Sequence, residues 1–214
     1  GVLDPWDLDL LAEHGITEDL FPPALWDRAV IDGQLWAVPL DFHAFLLFFD
    51  KGLADQAGGI LGSDGKLQGI DSPDGFVEAG RAMAEVTGGY AGVGYGYTGD
   101  GAQMSRMLWG LYAQTGSEVV LTPGEKARVD RDALVESVAW VQSWLDDTVA
   151  IANSDYPSAV ANFSTGRVGM CFNGNWSCSR SSPPGWTWTR SRCRRSSAAR
   201  PPTATRTCSC CRTR

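Results

Sequence analysis

Long hydrophobic runs are missing from this 214-residue chain: the longest, residues 44–49, has six residues, against about 20 needed for a helix to cross a bilayer. No membrane-spanning helix is written in it. Histidine is scarce as well, with only His14 and His43, far apart in the chain. No His-Glu zinc helix, serine elbow or nucleophilic cysteine context is present either, so metal-assisted and nucleophilic catalysis lack their usual residues. Neither an initiator Met nor a secretory leader stands at Gly1; the start is expected to be a processed end or a truncation.

Acidic residues are absent after Asp155, although the chain has 25 of them, and nine of the 18 Lys and Arg lie after Ser177. Residues 1–176 therefore carry a formal charge of −16 and residues 177–214 one of +9. Cysteine divides the same way: Cys171 stands alone in the body, while Cys178, Cys193, Cys208, Cys210 and Cys211 crowd the tail. One body cysteine suits either a reducing cell or a disulfide-free exported protein. The body and the tail are different kinds of sequence.

The tail, 177–214, uses only Ser, Arg, Pro, Thr, Ala, Cys, Gly and Trp. Such a stretch cannot bury enough apolar surface to offset its ordering entropy, and disorder is expected. An Arg-rich arm could hold nucleic acid, but no recognition motif accompanies it. Cys208, Cys210 and Cys211 have C-x-C-C spacing with no nearby His, which is not a zinc pattern. A third reading is GC-rich DNA translated out of frame. Trp is TGG and Thr is AC-something, so a shifted codon across Trp186-Thr187 and Trp188-Thr189 reads GAC, Asp. Any residue before Trp rereads as Leu, Val or Met. With CG-type Arg and TC-type Ser codons, residues 185–194 become apolar-Asp-apolar-Asp-small-apolar-small-apolar-Pro/Ser, a buried strand with a proline stop. A frame shift is expected at or just after Trp176.

Residues 1–176 alternate helix and strand signals, which argues α/β. Asp4-Pro5 opens a helix through Leu8, Leu11 and Ala12 to Gly15, and Pro22-Pro23 opens a short one carrying Leu25 and Trp26. Asp32-Gly33 is a tight turn before a strand at 35–38. Residues 44–49 form a strand apolar on both faces, as in a parallel sheet covered by helices. Longer helices follow from Ser72-Pro73 to Gly88-Gly89, from Gly101 to Gln114, and from Asp130 to near Asp147. In the second of these, Met104, Met107, Leu108 and Leu111 share a side. A shorter helix at 157–163 leads into a strand at 167–172.

Several residues invite a chemical role. Gly94-Tyr95-Gly96-Tyr97-Thr98-Gly99 matches G-x-G-x-x-G, which in a dinucleotide site lets backbone approach a pyrophosphate at a helix N-terminus. Tyrosines in its variable places point instead to a Gly-rich connector. Seven Trp occur in the body. Trp140 and Trp144 are four apart, as in the core or rim of one helix, and Trp109 in its apolar helix reads as core. Trp176 differs, because it follows Asn173-Gly174-Asn175 at the end of a strand. A flat ring beside amides at a strand's C-terminal edge suits a ligand with apolar faces and hydroxyl edges, such as a sugar.

In order along the chain stand Asp32-Gly33-Gln34-Leu35-Trp36-Ala37-Val38-Pro39, then Leu46-Leu47-Phe48-Phe49-Asp50-Lys51, then Trp109-Gly110-Leu111-Tyr112-Ala113-Gln114-Thr115-Gly116. Ala161-Asn162-Phe163, Gly166, Gly169-Met170 and Asn173-Gly174-Asn175-Trp176 complete the series. Their order and spacing over 30–176 resemble the extracellular solute-binding proteins of ABC sugar importers, the maltose-binding-like family. The family's Tyr-Asn-Lys is Phe49-Asp50-Lys51 here, and its Pro-Thr-Trp helix start is Asp71-Ser72-Pro73.

That resemblance implies a two-lobed periplasmic-binding-protein-like (type II) fold, represented mainly by the second lobe and the hinge. Residues 1–41 would end the first-lobe segment, 42–176 form hinge and second lobe, and 177–214 make the out-of-frame tail. It implies a non-catalytic protein without metal or cofactor, extracellular or periplasmic, with a lipid anchor placed in a preceding segment. Such a protein captures a sugar as a monomer and hands it to a membrane permease; no nucleic acid is involved. His43, beside Asp41, would stand in the hinge and reach the ligand. Gln103 and Arg106 would face the cleft from the start of the Gly101 helix, and Trp176 beside Asn175 would be the stacking platform. The rival is a secreted glycosidase, which needs two carboxylates at catalytic separation. Asp41, Asp100, Glu118 and Asp155 are available, but nothing in the sequence pairs them.

Overall fold

The computed structural model describes residues 3–41, 43–122 and 124–177, together with the backbone of Trp186–Trp188. The chain divides into two compact units, Gly1–Ala44 and Phe45–Arg214.

In the first unit, helix α1 (Leu8–Glu13) is capped by the Asp7 carboxylate, which accepts the N–H groups of Asp9 and Leu10 at 2.9 and 3.2 Å. The helix begins a turn later than Asp4-Pro5 predicts, because Asp7 supplies the side-chain acceptor that the free first-turn donors require. Helix α2 (Pro23–Trp26) has the expected proline at its start. Strands β1 (Val30–Ile31) and β2 (Gln34–Leu35) form a hairpin closed by Asp32 and Gly33, both at positive φ (52° and 76°), the geometry of a primed two-residue turn. The strand predicted at 35–38 is thus cut to Gln34–Leu35, since β1 offers only two residues to pair with. Leu11, Trp26 and Leu35 make a small core, with Phe21 stacked on Trp26 at 5.3 Å.

The second unit holds a four-stranded sheet in the order β4-β5-β3-β6. Its strands are β3 (Phe45–Asp50), β4 (Val93–Gly94), β5 (Met170–Gly174) and β6 (Trp186–Trp188). The α/β reading holds, but β3 is not a parallel strand: it runs antiparallel to both β5 and β6, and the parallel pair is β4–β5. A continuous apolar run reports burial on both faces; direction is set by partners distant in sequence. The tail expected to be disordered lies outside the described residues, apart from the three-residue backbone of β6.

Around the sheet lie α3 (Lys51–Gln56), α4 (Pro73–Val86), α5 (Gly101–Gln114), α6 (Arg131–Trp144) and α7 (Tyr156–Ser164). Ser72, Asp100, Asp130 and Asp155 cap the last four through their side chains. Helix α6 stops at Trp144, short of Asp147, because the Asp146 carboxylate then gathers the N–H groups of Thr148 and Val149, both at 2.9 Å. Trp144 is fully buried against Phe76 and Tyr95 (5.6 Å each) and Phe172 (6.0 Å). Helix α4 packs closely beside the start of β4 because residues 92 and 80 are glycine: a Cβ on Gly92 would stand 1.8 Å from the Gly80 carbonyl oxygen, and one on Gly80 would stand 2.6 Å from a Val149 methyl.

On α5 the buried residues are Gln103, Met107 and Tyr112. Trp109, read from the sequence as core, is 49% exposed and touches Tyr112 edge-on at 5.8 Å. Two residues past Met107 is about 200° around a helix, so burying one exposes the other. Met104 is likewise exposed. Among the described residues no helix is long and apolar enough to cross a membrane.

Candidate functional site

At its C-terminal end β5 runs through Asn173 and Gly174 into a single 3-10 turn, Asn175–Ser177, that presents Trp176. Three features hold the indole in place. Its N–H donates to the Tyr156 hydroxyl at 3.1 Å. The Arg106 guanidinium carbon stands 4.8 Å from the ring centroid, a cation–π contact. Gly174 lets the ring come close, because a Cβ there would lie 2.0 Å from a carbon of the six-membered ring. Trp176 nevertheless keeps 38% of its surface exposed.

Each partner is positioned by its own element. Asp155 caps α7, accepting the Ser158 N–H at 2.8 Å, and so fixes Tyr156 as the first residue of that helix. Hydrogen bonds from Ser158, through its side chain and its N–H, hold the Asp155 carboxyl below the usual carboxylate range. Arg106 sits in the second turn of α5. The described ion pairs are His43–Asp41 and Lys66–Asp64, so Arg106 has no carboxylate partner among the described residues.

Arg106 also lines a cleft of about 120 Å³, together with Phe45, Phe76, Trp140, Phe172 and Gln114. Phe45 and Phe172 are stacked at 5.9 Å, and Phe76 packs on Trp140 at 5.3 Å. The indole nitrogen of Trp140 is buried and has no hydrogen-bond partner among the described residues.

Of the six residues singled out from sequence, the structure places Arg106 on Trp176, with Asn175 beside Trp176 in the 3-10 turn. Gln103 is 2% exposed, its side-chain oxygen lacks a partner among the described residues, and its backbone carbonyl accepts the Tyr95 hydroxyl at 3.3 Å. It is not among the residues lining the cleft. Asp41 and His43 belong to the first unit, where their exposed side chains pair at 3.2 Å.

Tyr156 was not singled out by sequence. The helix expected at 157–163 starts one residue earlier, because the Asp155 cap makes Tyr156 its first residue. Nothing local says that its hydroxyl meets a ring 20 residues later.

The glycine motif is packing. Tyr95 is buried and stacks on Tyr97 at 5.3 Å, and a Cβ on Gly96 would stand 2.5 Å from the Asp155 carbonyl oxygen. The Asp100 carboxylate already accepts a first-turn N–H of α5, from Ala102 at 2.9 Å, where a pyrophosphate would have to bind. Three of the four carboxylates considered for a glycosidase are similarly engaged: Asp100 and Asp155 cap helices, and Asp41 pairs with His43.

The family model for the bacterial extracellular solute-binding protein matches residues 2–182. No curated protein matches the chain.

Proposed function

We propose, from the premise that this chain belongs to the bacterial extracellular solute-binding proteins, that its solute is a carbohydrate delivered to the membrane permease of an ABC importer. Extracellular or periplasmic placement and the α/β architecture come with the family. The sugar is the step beyond it. The observation that carries this step is Trp176: a half-open aromatic ring at the C-terminal end of β5, flanked by Asn175, Tyr156 and a guanidinium with no carboxylate partner among the described residues.

A pyranose has apolar C–H faces and hydroxyl edges, and each part finds a counterpart here. The ring face gains from apolar area removed from water. Hydroxyls can accept from Arg106, and hydrogen bonds to a charged group are worth about 1.5–3 kcal/mol each. Because Arg106 stands over the Trp176 ring, a sugar that stacks there displaces the guanidinium. The displaced group then becomes a donor to the ligand's edge.

In this reading residues 1–41 end a first-lobe segment, and residues 42–176 contain the hinge and second lobe. Two lobes that close on a ligand both contact it only in the closed state, so binding energy drives closure.

The test is a titration of intrinsic tryptophan fluorescence and of melting temperature with a panel of mono- and oligosaccharides, amino acids and oligopeptides. A saturable response to one or a few sugars, lost in Trp176→Ala and weakened in Tyr156→Phe, is the expected result. Binding of an amino acid or peptide with no response to any sugar overturns it, as does release of product from a glycoside.

A further inference from the structure

Two residues join the apolar cleft to the Trp176 ring. Arg106 lines the cleft while its guanidinium carbon stands 4.8 Å from the ring centroid. Phe172 lines it from β5, the strand that leads into the turn carrying Trp176. A ligand stacked on the indole therefore has this cleft beside it. The walls are led by Phe45 stacked on Phe172 and Phe76 packed on Trp140. Besides Arg106, the lining has one amide, Gln114, whose nitrogen is already spent on the Gly110 carbonyl at 3.0 Å. A second sugar ring placed here would lose partners for its hydroxyls, whereas an apolar group gains from the area removed from water. The volume, about 120 Å³, is near that of a cavity of roughly 150 Å³ that takes benzene.

Gly110 is the second observation. It lies inside α5, where glycine is the least favourable residue after proline. Its φ is not in the left-handed region, and a Cβ built on it meets nothing within 4 Å among the described residues. Neither the backbone nor the packing of the described residues asks for glycine here. Gly92 and Gly174 differ, since a Cβ on either would strike a neighbour. What the missing side chain does leave is space in the cleft, because Gly110 lines it.

We propose that the solute is a glycoside carrying an apolar substituent of about the size of a phenyl ring. Its sugar stacks on Trp176, its substituent fills the cleft between the phenylalanines and Trp140, and Gly110 sets the size of group admitted. This inference rests on the carbohydrate reading of Trp176 and names the class of sugar derivative that the same wall selects.

Matched methyl and phenyl glycosides of glucose, galactose, mannose and xylose, each as both anomers, test it by the rise in melting temperature of the whole protein with concentration. For the sugar that binds, the phenyl glycoside should bind about tenfold or more tighter than the methyl glycoside. Gly110→Leu puts a branched side chain into the cleft and should bring that ratio to within about twofold. Leucine also favours the helix, so the variant should melt no lower than the parent. Gly110→Ala, which adds a single methyl, should lower the ratio part of the way and decides the matter if Gly110→Leu misfolds. Equal binding of methyl and phenyl glycosides by the parent, or a phenyl preference that survives the Gly110 substitutions, overturns this inference and leaves the carbohydrate reading standing. No response to any glycoside of either kind overturns both.

Discussion

Gly174→Ala tests the packing that presents Trp176. The added methyl would stand 2.0 Å from the indole, whereas carbon atoms rest at about 3.5–4.0 Å. The ring must therefore retreat by about 1.5 Å, because the methyl is fixed to a strand backbone. That shift breaks the 3.1 Å bond to Tyr156, worth about 0.5–1.5 kcal/mol. It also loosens the Arg106 contact at 4.8 Å, worth about 0.5–1 kcal/mol at a site this exposed. The loss is about 1–2.5 kcal/mol. Gly174 is not at positive φ, so alanine fits its backbone and restricts the unfolded chain, an opposing gain of about 0.4–1 kcal/mol.

The sign thus depends on whether the indole is present. In the parent protein Gly174→Ala destabilises; in a Trp176→Ala background the clash is gone and the same change is neutral or slightly stabilising. Urea unfolding of the four proteins measures this directly. At a slope of about 2 kcal/mol per molar, the midpoint should fall by up to about 1 M with the indole present and hold or rise without it. The two backgrounds should differ by at least about 1 kcal/mol, a coupling typical of residues in contact. An identical shift in both backgrounds would refute the reasoning, because it would mean that the methyl meets something other than Trp176.

Trp144→Ala empties the centre of the aromatic cluster on Phe76, Tyr95 and Phe172; it should cost about 3–5 kcal/mol and lower the melting temperature by about 10 °C or more by circular dichroism. Burial pushes the Cys171 thiol up to about 12, so at pH 8 iodoacetamide should label the Cys171 peptide only after denaturation; native labelling seen by mass spectrometry would contradict its burial. Hydrogen bonds lower the Asp155 and Asp130 carboxyls from their ordinary 3.8, so the stability they add is complete above that pH and is lost as pH falls through their lower folded values. Asp155→Ala should accordingly flatten the acid limb of the urea midpoint against pH, and an unchanged limb would show that its cap contributes nothing.

What could be read from the sequence was whatever is encoded within a few residues. Ser72-Pro73 and Asp130 each signal a helix start, and each does cap one, because a cap needs only its own side chain and the next turn. The same locality misplaced α1, where Asp4 and Asp7 compete and only geometry decides. The direction of β3 was illegible for the opposite reason: its partners are residues 170–174 and 186–188, and nothing inside the run distinguishes them. The site divides along the same line. Trp176 at a strand end was readable, whereas its contact with Arg106, 70 positions earlier, exists only through the packing of α5. Trp109 shows how a helix of mixed polarity misleads: with a buried Gln103 on the core side, hydrophobicity alone no longer marks the inner face.

The tail is the place where sequence and fold can be set against each other most sharply. As written, residues 177–214 contain no Leu, Ile, Val, Phe or Met, yet the backbone of Trp186–Trp188 pairs with Phe48, Phe49 and Asp50 of β3. Phe48 and Phe49 are buried, so the slot beside them belongs to a strand of the core. Such a slot calls for apolar residues in alternation or in a run. The shifted reading of 185–194 supplies them, beginning apolar-Asp-apolar-Asp at the positions that pair with β3. The written frame supplies Trp-Thr-Trp over the paired residues and then Thr189 and a run rich in arginine and serine. Sequencing the DNA from codon 165 onward decides between the two. A slip of one or two bases near codon 176 that restores Asp-apolar-Asp would make β6 the start of a further, apolar segment of the same domain. An intact frame would leave β3 with a three-residue partner followed by eight arginines, and the out-of-frame account would be wrong.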